Sequence, residues 1–288
     1  MGGGRVASPA VPILRQGVHV KKAVVVFVIL LLCVAIVCVA FFVRDYMMAQ
    51  EEISEYDAVQ SEYTFISLEP VLVIIHDPDK SPTPTEVIEL PYVSADFDAL
   101  LADNSETVGW IAIPGSVISY PVVQAKDNVK YLNTSFKGRR SSAGTPFADK
   151  NNNLRDLDAS TIIYGHNMGK GRRDMFGSLL SYKDKSYYEA HRYIQFDTIY
   201  QPQGWWKAFA VIEQDIRSEE FQYLRTQFGS DDEFLNWLGA VSTRSIFDSD
   251  LQFSANDRVL ILSTCDRSRY GKNGRLLILA VRMQAPAS

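Results

Sequence analysis

Residues 258–283 read "RVLILSTCDRSRYGKNGRLLILAVRM". Two apolar runs, "RVLILSTC" and "RLLILAVRM", flank a polar, Gly-containing stretch at 266–274. Runs of this length bounded by turn residues read as β-strands, and a short connection lets them pair antiparallel. In that pairing Cys265 ends one strand and Arg275 begins the next, so both side chains share one rim. A guanidinium beside a thiol favours the thiolate, which is the nucleophilic form. It can also hold an oxyanion during acyl transfer. A plainer reading fits the same residues: a cysteine packed as a small hydrophobe, and an arginine solvated at a strand end.

Working back from this hairpin, further strand-like runs punctuated by turn residues occupy much of the chain. They are "TVGWIAIPG" (107–115), "ISYPVVQ" (118–124), "STIIYGH" (160–166), "YIQFDTIY" (193–200) and "WWKAFAVIEQD" (205–215). Their close spacing predicts a mostly β barrel or sandwich. Helical spacing interrupts them at "DMFGSLLSY" (174–182), "DKSYYEAH" (184–191) and "DDEFLNWLGAVS" (231–242). It also marks "SADFDALLADN" (94–104), where Ser94 is the expected N-cap. Helices and strands do not alternate regularly, which argues against a parallel α/β sheet. No internal repeat is present.

The chain has 288 residues, 47% of them hydrophobic, enough for one globular domain plus an appendage. Its net charge is −5 and no basic patch dominates, so nucleic acid is not an expected partner. The appendage is "AVVVFVILLLCVAIVCVAFFV" (23–43), an uncharged run long enough to span a bilayer as a helix. Arg5, Arg15, Lys21 and Lys22 precede it and no acid does. That one-sided flank predicts a cytoplasmic tail at 1–22 and everything after the span outside. A cleaved signal peptide is the rival reading, with "CVA" ending at Ala40 as its cleavage site. The apolar run is longer than a usual signal core and continues past Ala40, which favours an anchor. Residues 44–89 read as a stalk and a Pro-, Ser- and Asp-rich linker, "HDPDKSPTPTE" (76–86), ahead of a folded domain at 90–288.

This topology sharpens the cysteine count. Cys33 and Cys38 fall in the apolar span, so Cys265 is the one thiol of the outside domain and has no internal partner for a disulfide. A cysteine nucleophile needs an imidazole partner. Of the four histidines, His19 is on the cytoplasmic side, His76 is in the linker and His191 follows an apparent surface helix. His166, at the end of "TIIYGHNM", remains, although a lone histidine is often structural. One Cys and one His fall short of a zinc ligand set. The papain and caspase contexts are absent, as is a Gly-rich phosphate loop in the right setting.

The set "LSTCD" (262–266), Arg275 and "IIYGHNM" (162–168) resembles the sortases of Gram-positive bacteria, class B above all. The resemblance covers 94–283. It includes "TVGWIAIPGSVISYPVVQAKDNVKYLNTSFKGRRSSAGTPFAD" (107–149) and "MFGSLLSYKDKSYYEAHRYI" (175–194). "DDEFLNWLGAVSTRSIFD" (231–248) is similar to the helix that class B members insert before the cysteine strand. Pro146 departs from the family's usual β-branched residue, at a strand edge.

The resemblance implies a closed eight-stranded β-barrel with N-terminal helices and an inserted helix, preceded here by a single transmembrane helix. It implies a membrane-anchored cysteine transpeptidase acting without a cofactor or metal. Cys265 is then the nucleophile that attacks after the Thr of an NPxT-like C-terminal sorting signal. His166 is general acid and then base, and Arg275 stabilises the oxyanion. Asn128, Leu132, Tyr164 and Ser263 are the implied groove residues, each of which also reads as barrel packing. The implied partners are surface proteins carrying the signal and an amine of lipid II or a peptidoglycan cross-bridge. Three alternatives stand beside wall anchoring: a pilin polymerase using a pilin lysine, a plain cysteine hydrolase, and a non-catalytic membrane-tethered binding module.

Overall fold

The computed structural model describes residues 16–67, 71–75, 86–169, 171–202, 204–249 and 251–283. Most of the 1–22 tail and nearly all of the 76–86 linker lie outside them. Helix α1, Gln16–Tyr63, contains the apolar run and is long and apolar enough to cross a membrane. The chain divides into two compact units, Met1–Ile53 and Ser54–Ser288. The second unit therefore takes in the last turns of α1 that sequence assigned to the stalk. The reason is an apolar stripe at i, i+3 and i+7: Tyr56, Val59 and Tyr63 are all buried. The Tyr56 hydroxyl donates to the carbonyl of Gly144 and meets Thr145 Oγ1 at 3.2 Å. Arg139 bonds Glu55 at 2.6 Å, and Lys137 bonds Glu62 and Asp103.

Eight strands close into a barrel. In chain order they are β1 (Thr107–Ala112), β2 (Ser119–Val123), β3 (Phe147–Ala148), β4 (Ser160–Tyr164), β5 (Tyr193–Thr198), β6 (Trp205–Asp215), β7 (Val259–Cys265) and β8 (Gly274–Arg282). Around the barrel they run β6-β8-β7-β4-β3-β2-β1-β5 and back to β6. The pairs β4–β7 and β2–β3 are parallel and the rest antiparallel. Outside the barrel lie two antiparallel pairs, Thr64–Ile66 with Val93–Ala95 and Val71–Ile75 with Glu86–Leu90.

The unbroken apolar runs of β7 and β8 have a physical cause: both of their faces are buried. Leu260, Leu262, Leu276, Ile278 and Ala280 join one core cluster with Ile111, Val122 and Trp206. Val259, Ile261, Leu277 and Leu279 belong to a second, capped by the inserted helix. That helix, Asp231–Arg244, buries Phe234, Trp237, Leu238 and Val241 along one stripe. Each such fully buried side chain contributes about 1.5–3 kcal/mol. Ser230 caps its start by accepting the Glu233 N–H, and three acids occupy its first turn.

The helix α2, Phe97–Asp103, corrects one expectation. Its N-cap is Asp96, whose carboxylate accepts the Ala99 N–H, and Ser94 lies in a strand instead. Pro146 stands just before β3, where its carbonyl accepts the Val123 N–H.

Candidate active site

The β7–β8 register sets Cys265 directly opposite Arg275. The parallel β4–β7 register sets Tyr164 beside Ser263. Two residues further along each chain come His166 and Cys265, so both stand at the same rim. Several bonds hold the two chains together past the last paired residues. The Gly165 N–H donates to Ser263 O at 3.2 Å, and Thr264 Oγ1 donates to Gly165 O at 2.8 Å. Asn167 Nδ2 donates to the carbonyl of Cys265 itself at 2.8 Å.

His166 Nε2 lies 2.7 Å from the carbonyl of Leu132. A carbonyl only accepts, so Nε2 carries the proton and the ring orientation is set by that contact. Leu132 closes a 3₁₀ turn, Lys130–Leu132, that is tied down by Glu106. The Glu106 carboxylate accepts from the Tyr131 hydroxyl at 2.6 Å and pairs with Lys130. Behind His166 the loop closes through an Asn167–Met175 bridge and the Phe176 N–H, which donates to His166 O at 2.9 Å. Met175 has φ +53°, and its N–H is held by the Tyr120 hydroxyl at 3.1 Å. The Arg275 guanidinium folds onto its own loop, donating to Gly274 O at 2.9 Å and Lys272 O at 3.4 Å.

The four implied groove residues divide. Leu132 holds His166 through its carbonyl, and Ser263 is buried beneath the cysteine. Asn128 and Tyr164 converge on one carboxylate that sequence reasoning did not single out. Asp149, 5% exposed, accepts Asn128 Nδ2 and the Tyr164 hydroxyl, each at 2.8 Å. Burial and the negative charge of Asp149 hold the Tyr164 phenol well above its ordinary pKa, so it stays a donor. Tyr223 was also missed. It is buried within electrostatic reach of Ser263, Arg275, Cys265 and Asp149, and burial, the largest influence, keeps its phenol neutral. Only Asp149 had a signal in the sequence: an acid ending the apolar "TPFA" run.

A half-buried thiol whose residue pairs with an arginine, at the same rim as a histidine, has the groups for nucleophilic acyl transfer. The barrel that carries it defines a class, the sortase-type cysteine transpeptidases.

No family model matches the chain. Sortase B of Listeria monocytogenes is 36% identical over 178 residues, which are 61% of this chain and 69% of that protein. Sortase B of Staphylococcus aureus is 28% identical over 262 residues, 91% of this chain and 97% of that protein. Among solved structures, sortase B from B. anthracis in complex with AAEK1 superposes with TM-score 0.65 at 29% identity, covering 83% of this chain and 99% of that one. The chain belongs to the class B sortases and is a cysteine transpeptidase.

Proposed function

We propose that this sortase is anchored by residues 23–43, with the N-terminus cytoplasmic and the catalytic barrel facing the cell wall. It cleaves an NPxT-like C-terminal sorting signal after Thr and transfers the surface protein to an amine of lipid II or a peptidoglycan cross-bridge. The observation that carries this reading is the register that sets Cys265 opposite Arg275, with His166 on the neighbouring parallel strand's extension.

In this reading the Cys265 thiolate attacks the carbonyl carbon of the Thr. The carbonyl electrons move to oxygen, and Arg275 stabilises the oxyanion once it swings from the carbonyls it now holds. Protonated His166 gives its proton to the departing amine as the C–N bond breaks, leaving a thioacyl-enzyme. The incoming amine then attacks the thioester, His166 takes its proton, and Cys265 leaves as thiolate. Asn128, Leu132 and Tyr164 line the groove for the signal with Ser263 packed beneath it, and Asp149 fixes the orientation of Asn128 and Tyr164.

A sorting-peptide library assay tests the proposal with wild-type protein and Cys265→Ala. Cleavage after Thr in one peptide class, abolished in the variant, is expected. Adding an amine acceptor should convert free acid into transpeptidation product. Persistent full cleavage by Cys265→Ala would sink the assignment.

A further inference from the structure

Three elements that frame Cys265 meet at one ammonium. Lys183 is the last residue of the 3₁₀ helix Phe176–Lys183, the segment that follows the His166 loop. Its Nζ bonds Asp266 Oδ2 at 2.8 Å, Ser268 Oγ at 3.0 Å and Glu213 Oε1 at 3.2 Å. Asp266 is the residue immediately after the cysteine, and its side chain is 5% exposed. Its Oδ1 accepts the Ser268 N–H at 2.9 Å, and its own N–H donates to Gly274 O at 3.1 Å. Glu213 lies on β6 opposite Leu276, one step from the Gln214–Arg275 pair. The loop has little slack at its neck, because a Cβ on Gly274 would sit 1.9 Å from Asp266 O. One cation therefore ties the chain after Cys265 to β6 and to the chain after His166.

The charge pattern sharpens the point. Asp266 and Glu213 supply two negative charges. Lys183 supplies one positive charge and Arg269, 3.6 Å from Glu213, a second. The cluster is neutral as it stands. Without Lys183 two poorly exposed carboxylates would be left unneutralised, one of them on the residue next to the thiol. A like charge nearby disfavours an ionised thiol. The other groups around Cys265 are Arg275 across the strand pair, His166 at the same rim, Tyr223 within electrostatic reach, and Asp149 behind Tyr164. Arg267 and Lys272 stand on the connecting loop. None of these is bonded to the Asp266 carboxylate.

We infer that Lys183 is a positioning residue for the nucleophile, holding the Cys265–Arg275 rim through Asp266 and cancelling the carboxylates that would oppose the thiolate. This rests on the sortase reading for its consequence in turnover, but its first test does not need a substrate. The full chain in detergent is alkylated with iodoacetamide across pH 5–10, and modification of Cys265 is followed by mass spectrometry of its peptide. Lys183→Met should raise the midpoint of the alkylation profile by about 0.5–1 pH unit. Lys183→Arg should keep the wild-type midpoint, and Lys183→Met/Asp266→Asn should move it back toward wild type. Asp266→Asn alone should lower it, which keeps the test open if Lys183→Met fails to fold. In turnover, Lys183→Met should lose about 3–10-fold in kcat with KM for the sorting peptide little changed. Unshifted midpoints in both Lys183→Met and Asp266→Asn would overturn the inference. If wild type alkylates normally yet cleaves no sorting peptide, the sortase reading fails and the positioning result still stands or falls by the alkylation profile.

Discussion

Gly165 joins β4 to His166 and leaves no room for a side chain. A Cβ built there would lie 2.4, 2.6 and 2.8 Å from three ring carbons of Phe176. Ordinary carbon contacts are about 3.5–4.0 Å, so the overlap is about 1 Å. The ring cannot retreat easily: Phe176 is fully buried, and its N–H is bonded to His166 O at 2.9 Å. Gly165 is likewise pinned, with its N–H on Ser263 O and its carbonyl on Thr264 Oγ1. Gly165→Ala therefore forces the strand end outward, the ring inward, or both. Overpacking of this kind costs about 1–3 kcal/mol. For a domain of this size that lowers Tm by roughly 2–12 °C. A shift of about 1 Å at His166 can cost about 10²-fold in rate, so kcat/KM for a sorting peptide should fall by roughly 10- to 100-fold. Thermal denaturation followed by tryptophan fluorescence and a peptide-cleavage assay read the two effects. Gly165→Ala/Phe176→Leu should recover part of both, because it removes the atoms in conflict. Gly165→Ala with unchanged Tm and unchanged kcat/KM would refute the packing argument.

Asp149→Ala strands the part-buried Tyr164 hydroxyl and Asn128 Nδ2, at about 1 kcal/mol or less each since water reaches them in part, and should raise KM for the sorting peptide; urea denaturation and steady-state kinetics check it. Tyr56→Phe removes the bonds to Gly144 and Thr145 and should cost about 1–2 kcal/mol, with faster amide exchange over 54–63 as its signature. A pH effect follows from Asp266. Burial pushes its carboxyl up, but Lys183 and the Ser268 N–H outweigh burial and hold it below the ordinary 3.8. Folding thus favours the ionised form, so its contribution is complete above about pH 4 and lost as pH falls through the lower folded value. Burial pushes Lys183 down, but Asp266 and Glu213 outweigh that and raise it above 10.5, so the pair persists until strongly alkaline pH. The stability gap between wild type and Asp266→Asn should be flat from about pH 5 to 10 and close below about pH 4. A gap that widens on acidification would contradict that sign.

Most of the barrel was legible because its strands are long enough to carry a pattern. Seven of the eight correspond to apolar runs bounded by turn residues. The exception, β3, has two residues, Phe147 and Ala148, too few to show any period. It is set by its neighbours, pairing with Val123 on one side and with Ile163 and Tyr164 on the other. The docking of α1 residues 54–63 was missed for a different reason. Tyr56, Val59 and Tyr63 follow a hydrophobic run so long that their stripe reads as its tail. Only the partners from far along the chain, Gly144 and Thr145, give that stripe its meaning.

The site was legible to the extent that it follows from strand register. Once "VLILSTC" and "RLLILAV" pair across a short loop, Cys265 and Arg275 must meet, whatever else the fold does. His166 needed one further fact that no local pattern holds: β4 runs parallel to β7, which puts both strand ends at one rim. Had β4 run the other way, the same "TIIYGH" would deliver its histidine to the opposite end of the barrel. The supporting shell lies beyond even that reach. Asp149, Tyr223 and Lys183 act across separations of 15 to 83 residues, and each is an ordinary residue type in an ordinary stretch. What makes them matter is that buried polar groups must find partners. A fold that brings a thiol, an imidazole and a guanidinium to one rim also gathers the carboxylates and hydroxyls that hold them. At this rim that demand falls on two carboxylates, Asp149 beside Asn128 and Tyr164 and Asp266 behind the cysteine. Asp149 is met by neutral donors and Asp266 by a cation. Losing Asp149 should therefore be felt chiefly in substrate binding, and losing the cation chiefly in the reactivity of Cys265.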